Sequence, residues 1–250
     1  MAIDRPYRRT ARPFVGGAGY RGGLSREYLK DDRYAKGALH YLRAVDLLWK
    51  DLLELFDYVE PADANRDCYS YRIHSLLQRA CMEVEANLRA ILLENEYPVA
   101  ARDLRMDRDY WKVDLSHRLS SIRVTLLGWH GEHRVVAPFA AWAKGAPLPW
   151  YQAYNQSKHD RVGAFERANF GALVESVAAC AALIVAQFLD EDFSVIQGVV
   201  LGGPDFGWDI GNDHFQVMLP RDWADADCYT EPNLQQDSPF QSFPYPPRPP

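Results

Sequence analysis

The sequence predicts a mainly α-helical protein, a bundle of four to five helices with an inserted β-hairpin and a short β/irregular C-terminal extension. Three observations carry this. Apolar residues recur at three- and four-residue steps through two long early segments. An alanine-rich apolar run, Val174 to Leu189, reads as a central helix. One β-branched stretch, Ser121 to Leu127, is followed by a glycine turn.

Composition sets the class. At 250 residues the chain can bury a substantial core, and 48% hydrophobic with 25% charged residues is ordinary globular usage. No uninterrupted run of apolar residues is long enough for a membrane span, and Met1–Arg5 lacks the apolar core of a secretory signal. Cys68, Cys81, Cys180 and Cys228 lie far apart with no CxxC pair, which suits reduced thiols. The expectation is a cytoplasmic protein that needs no cofactor and touches no membrane. A net charge of −6 argues against a protein coated for non-specific DNA binding. The charge is uneven, however, with a basic start and an acidic stretch from Asp205 to Asp237.

Residues 1–33 are Arg- and Gly-rich without periodicity, so they read as an irregular arm. Its arginines could grip phosphate or simply be solvated. Residues 34–192 form the bundle domain. Leu39, Leu42, Val45, Leu48, Leu52 and Phe56 mark a first helix over about 34–58, which Pro61 ends. Ile73, Leu76, Leu77, Cys81, Val84, Leu88 and Ile91 mark a second over about 69–95. Alongside them Arg79, Glu83 and Asn87 stand four residues apart on one face. That row is either a solvated salt pair or a polar ridge facing the later histidine helix. Residues 104–118 are ambiguous, with a short helix around Tyr110 and Trp111. The hairpin lies near 121–137, with His130 and His133 at its turn. Two histidines without a third ligand make no metal site, and none is expected.

Pro149 suits the first turn of a helix, and Leu148–Arg161 concentrates chemically capable side chains. As a helix, this stretch puts Tyr151, Asn155 and His159 on one face and Trp150, Tyr154 and Lys158 on the next. A last helix spans about 164–190. Residues 193–230 read as a β/irregular extension, with strands at 193–201 and 214–219. Seven of the sixteen prolines fall between Pro232 and Pro250, so 231–250 reads as a disordered tail.

The chemistry centres on Asn155 and His159, an amide and an imidazole one turn apart. Imidazole suits proton transfer near neutral pH, and Lys158 and Arg161 add charge at the same helix end. A cation at a helix C-terminus also has a purely structural rationale, and His159 alone could be a structural histidine. No HExxH, P-loop or dinucleotide-binding pattern is present.

Tyr154-Asn155-Gln156-Ser157-Lys158-His159 resembles the R-N-x-x-x-H motif of the HEPN superfamily, over roughly residues 34–190. The motif arginine is replaced here by Tyr154. The resemblance implies a small helical bundle, a homodimer, and a metal-independent endoribonuclease of a bacterial defence or toxin–antitoxin system. His159 would be general acid/base, Asn155 would orient substrate, and Lys158 or Arg161 would offset phosphate charge. Tyr154, Tyr151, Trp150, Arg79, Glu83 and Asn87 would bind or orient substrate. The alternative is a catalytically inactive module that recruits a protein partner through its acidic, Pro-rich C-terminal region.

Overall fold

The computed structural model describes residues 2–17, 19–20, 26–191, 209–211 and 214–248. The fold is mainly helical with a small four-stranded antiparallel sheet. Helix α1 spans Ala38–Phe56, α2 Tyr71–Glu94, α3 Val113–His117, α4 Pro149–His159 and α5 Phe170–Phe188. Ser70 caps α2 by accepting from the Ile73 N–H, and Asn169 caps α5 by accepting from the Ala172 N–H.

The core is built on α5. All but one of its residues are buried; the exception, Glu175, holds Arg66 at 2.9 Å. Ala178, Ala179, Ala181, Ala182 and Ala186 keep its surface low, so α2, α1 and α4 can all close on it. The helix is long and apolar enough to cross a membrane, but 89% of that window is buried inside the fold, which explains its composition without a bilayer.

Strand β1 is Arg123–Leu126 and β2 Val135–Val136, the predicted hairpin, paired with Val124 opposite Val136. The far strands are β3, Asp209–Gly211, and β4, Phe215–Met218. The order is β2-β1-β4-β3, with Val124 facing Val217 across β1 and β4. The hairpin is therefore half of a sheet, and the β4 region belongs to the bundle rather than to a separate extension. A two-stranded ribbon is marginal alone. Val124, Leu126, Val136, Ile210, Phe215 and Val217 supply its buried face, and Phe215 packs on Trp49 of α1 at 4.4 Å. The strand expected at 193–201 lies outside the described residues.

Two expectations are corrected. The N-terminal arm is not a solvated leader. Arg9 is wholly buried, donating to Glu94 Oε1 (2.7 Å), Gln187 Oε1 (2.9 Å) and the Lys36 carbonyl (2.6 Å). Arg12 donates to the Ser116 and Asp227 carbonyls and lies over the rings of Tyr7 and Trp223. These guanidiniums are spent internally, as buried charges must be. Nor is the C-terminal segment disordered across residues 231–248: Phe240 is 2% exposed and Tyr245 8%. Lys112 donates to the Pro246 and Pro247 carbonyls at 2.8 and 2.9 Å, and Arg248 pairs with the buried Asp109 at 2.5 Å. Proline lacks an N–H but keeps its carbonyl, so an extended Pro-rich chain is a row of acceptors that a buried ammonium can hold.

Candidate functional site

Helix α4 begins with Pro149 at its first turn, and its inward side sets its register. Trp150 is buried, donates from Nε1 to the Pro138 carbonyl (2.7 Å) and meets Phe139 edge-on. Trp150 is thus a core anchor rather than a substrate contact. Tyr154 is also buried, while Tyr151 and Asn155 are half-buried on the outward shoulder.

Tyr151 stands between two lobes of one cleft. The first, about 450 Å³, is lined by Glu85 and Arg89 of α2, Arg102, Arg105, Met106 and Tyr110 of the α2–α3 connection, and Tyr151 and Lys158 of α4. The second, about 860 Å³, shares Arg105, Met106 and Tyr151 and adds Asp107, Trp111, Trp142, Pro147, Leu148, Gln152 and Asn155.

The first lobe is cationic. Arg89 hydrogen-bonds Tyr110, which raises the guanidinium pKa, while burial raises that of the Tyr110 phenol. The Lys158 ammonium donates to Tyr154 Oη at 3.3 Å and sits 5.3 Å from that ring's centre. Arg105 donates to the Arg102 and Leu104 carbonyls. Among the described residues, none of Arg89, Arg105 and Lys158 has a carboxylate within ion-pair distance. Glu85 accepts from Tyr151 Oη at 2.9 Å. Burial, then the charge of Glu85, raises the Tyr151 pKa, so this phenol stays protonated and fixes one carboxylate oxygen. Burial raises Tyr154 as well, with Lys158 opposing.

The structure thus brings Tyr151, Lys158 and Asn155 around one cleft, with Tyr154 buried behind Lys158, and leaves the other candidates elsewhere. His159 and Arg161 are exposed beyond the end of the cleft, and neither lines it. Arg79, Glu83 and Asn87 do not face the histidine helix. Arg79 forms an ion pair with Asp51 of α1. Glu83 is half-buried, which raises its carboxyl pKa. Asn87 is fully buried and accepts from Gln187 Nε2 of α5 at 2.9 Å. The reason is phase. On α2 the α4-facing side is the Glu85–Arg89 pair, two positions on from the row that the spacing singled out.

Sequence reasoning missed Glu85, Arg89, Arg102, Arg105, Tyr110, Trp111 and Trp142. The available signal was the density of arginines and aromatics over 102–111, beside a stretch with no clear period. At the hairpin turn, His133 pairs with Asp63 at 3.1 Å and His130 lies 3.4 Å from Glu60. Among the described residues no three His, Cys, Asp or Glu side chains converge as a metal site. No protein-family model, no curated protein and no solved structure matches this chain.

Proposed function

We propose that this protein binds RNA, with the phosphodiester backbone held in the cationic lobe between α2 and α4. One observation carries the reading: in a chain of net charge −6, Arg89, Arg102, Arg105 and Lys158 line one lobe against a single carboxylate there, Glu85, and among the described residues Arg89, Arg105 and Lys158 have none within ion-pair distance. Guanidiniums suit phosphate oxygens because their donors form a planar fork, and a lysine adds a point charge. Local positive potential in an acidic chain is what directed backbone binding requires.

A second reading, cleavage, is favoured by the common exposure of His159, Lys158 and Arg161 at the C-terminal end of α4. RNA threaded through the cleft would leave past this imidazole, a side chain of the kind that serves as general acid or base. Membership of the HEPN superfamily belongs to this second reading, and rests on the spacing of Asn155 and His159 and on the order of the helices.

The test is fluorescence anisotropy with a labelled single-stranded RNA over a salt series. Arg89→Gln and Lys158→Gln should each weaken binding and lower the salt slope by about 0.7 for a lost single-strand phosphate contact. Unchanged affinity and slope in both variants would sink the assignment of this lobe. Gel analysis of the same RNA in EDTA, for wild type and His159→Ala, decides cleavage.

A further inference from the structure

We infer that the second, aromatic lobe is a pocket for an unpaired base, so the ligand class is single-stranded rather than duplex RNA. This rests on the RNA-binding reading above, and it is carried by the adjacency of the two lobes. Arg105, Met106 and Tyr151 wall both of them, so a phosphate held by Arg105 and Lys158 has its own nucleoside at the mouth of the second lobe.

What fills that lobe suits a base. Trp111 and Trp142 line it, Trp111 39% exposed at the rim and Trp142 held on one side by Phe139 at 4.8 Å, and Met106, Pro147 and Leu148 supply an apolar floor. Bases stack on aromatic side chains whatever their identity, and only a base out of a duplex can reach them. A volume of about 860 Å³ holds a nucleoside with room for water.

Two carboxamides stand at the same wall. Gln152 and Asn155 lie one turn apart on α4, and among the described residues neither side chain is hydrogen-bonded. The next amide, Gln156, is by contrast taken by Arg167 at 2.7 Å. A carboxamide both donates and accepts, as the edge of a base does. Asn155 is therefore a base-reading group in the cleft.

The test uses the full-length chain and three fluorescein-labelled probes: a short single-stranded RNA, the same strand with its bases replaced by abasic residues, and the duplex. Trp111→Ala and Trp142→Ala should bind the single strand roughly 5- to 100-fold more weakly, the range of one lost base–aromatic stack. The abasic strand should show a similar loss on wild type, and the duplex should bind more weakly than the single strand. Intrinsic tryptophan fluorescence should quench on binding, and less so in Trp111→Ala. Thermal melts identify any variant that has lost its fold; Asn155→Ala, on the cleft surface, then stands in for it, with an altered preference among homopolymers expected. If Lys158→Gln weakens binding while the tryptophan variants and the abasic strand match wild type, the base pocket is refuted and the backbone site stands. If the wild type binds no RNA, both fail. Equal affinity for the duplex also overturns the inference.

Discussion

Acid sensitivity should trace to one buried imidazole, His117. Its Nε2 lies 2.7 Å from the Arg9 carbonyl, which can only accept, so the proton sits on Nε2. Nδ1 then accepts from Ser116 Oγ at 2.6 Å, and Ser116 in turn accepts from Tyr245 Oη at 2.6 Å. Burial, with the Arg12 charge adding to it, pushes the imidazole from 6.5 down to about 4, against the pull of the Arg9 carbonyl. With the folded value below the unfolded one, stability is fully present above about pH 6.5. It falls as the unfolded chain takes up a proton that the folded chain refuses, at up to about 1.4 kcal/mol per pH unit, and levels off near pH 4. Between pH 7 and 4.5 the loss should be about 2–3 kcal/mol. Glu83, raised by burial, works the other way in this window, so the comparison must be differential. His117→Gln keeps a donor for the Arg9 carbonyl and removes the titration. Urea unfolding at both pH values should show the wild type losing about 2–3 kcal/mol more than the variant. Equal losses would refute the assignment of acid sensitivity to His117.

Three further outcomes are expected. Lys112→Met takes the donor from the Pro246 and Pro247 carbonyls and from Tyr97 Oη, which keeps its own bond to Asp109, so it should cost on the order of 1–3 kcal/mol in all, read by urea unfolding. Gly131→Ala forces a side chain onto φ +128° and its Cβ against the Asp63 carboxylate, which pins the turn through Trp129 Nε1 and the Glu132 N–H. The variant should lose about 1–3 kcal/mol by thermal melt. Arg248→Ala should release the C-terminal segment, seen as several-fold faster proteolysis there, and should lower RNA affinity although Arg248 lies outside both lobes.

The helices were legible because burial on one face writes a 3.6-residue period into the sequence, and α5 because a helix buried all round is apolar all round. The hairpin was legible from Val124, Val135 and Val136 with Gly131 between. Its pairing with β4 was not, since Val124 and Val217 are far apart in sequence and no local pattern records a register between them. The arm and tail were misread for a physical reason. Arg, Gly and Pro content suggests disorder, but Tyr7, Phe14, Tyr229, Phe240, Phe243 and Tyr245 gave both segments the aromatic surface to pack on each other. Of the cleft, Tyr151, Asn155 and Lys158 of α4 could be read from the sequence, while His159, Arg161 and Trp150 fall outside it, Gln152 was not singled out, and the α2 contribution could be read only by face. Which of two neighbouring faces of α2 meets α4 is decided by tertiary packing, so Glu85 and Arg89 were passed over for Arg79, Glu83 and Asn87.

The docked tail and the exposed cleft are mechanically one object, joined at Asp109. This carboxylate is fully buried and accepts from Tyr97 Oη, from the Arg105 backbone N–H at 2.8 Å and from the Arg248 guanidinium. The last two partners stand at opposite ends of the arrangement: Arg248 closes the tail, and Arg105 walls both lobes. The Arg248 guanidinium holds the Asp109 carboxyl below the usual carboxylate range against burial, so the group is charged when the tail is docked. Without Arg248 a buried carboxylate would lose its compensating charge and would have to be hydrated or protonated, and either change loosens the turn that carries Arg105. Lys112, held by Tyr97 on one side and the Pro246 and Pro247 carbonyls on the other, ties the turn from which Trp111 reaches the second lobe. A site assembled from an irregular connection needs this outside support, because residues 102–111 have little regular backbone to hold them. The Pro-rich tail provides it, lying behind the cleft as a strut.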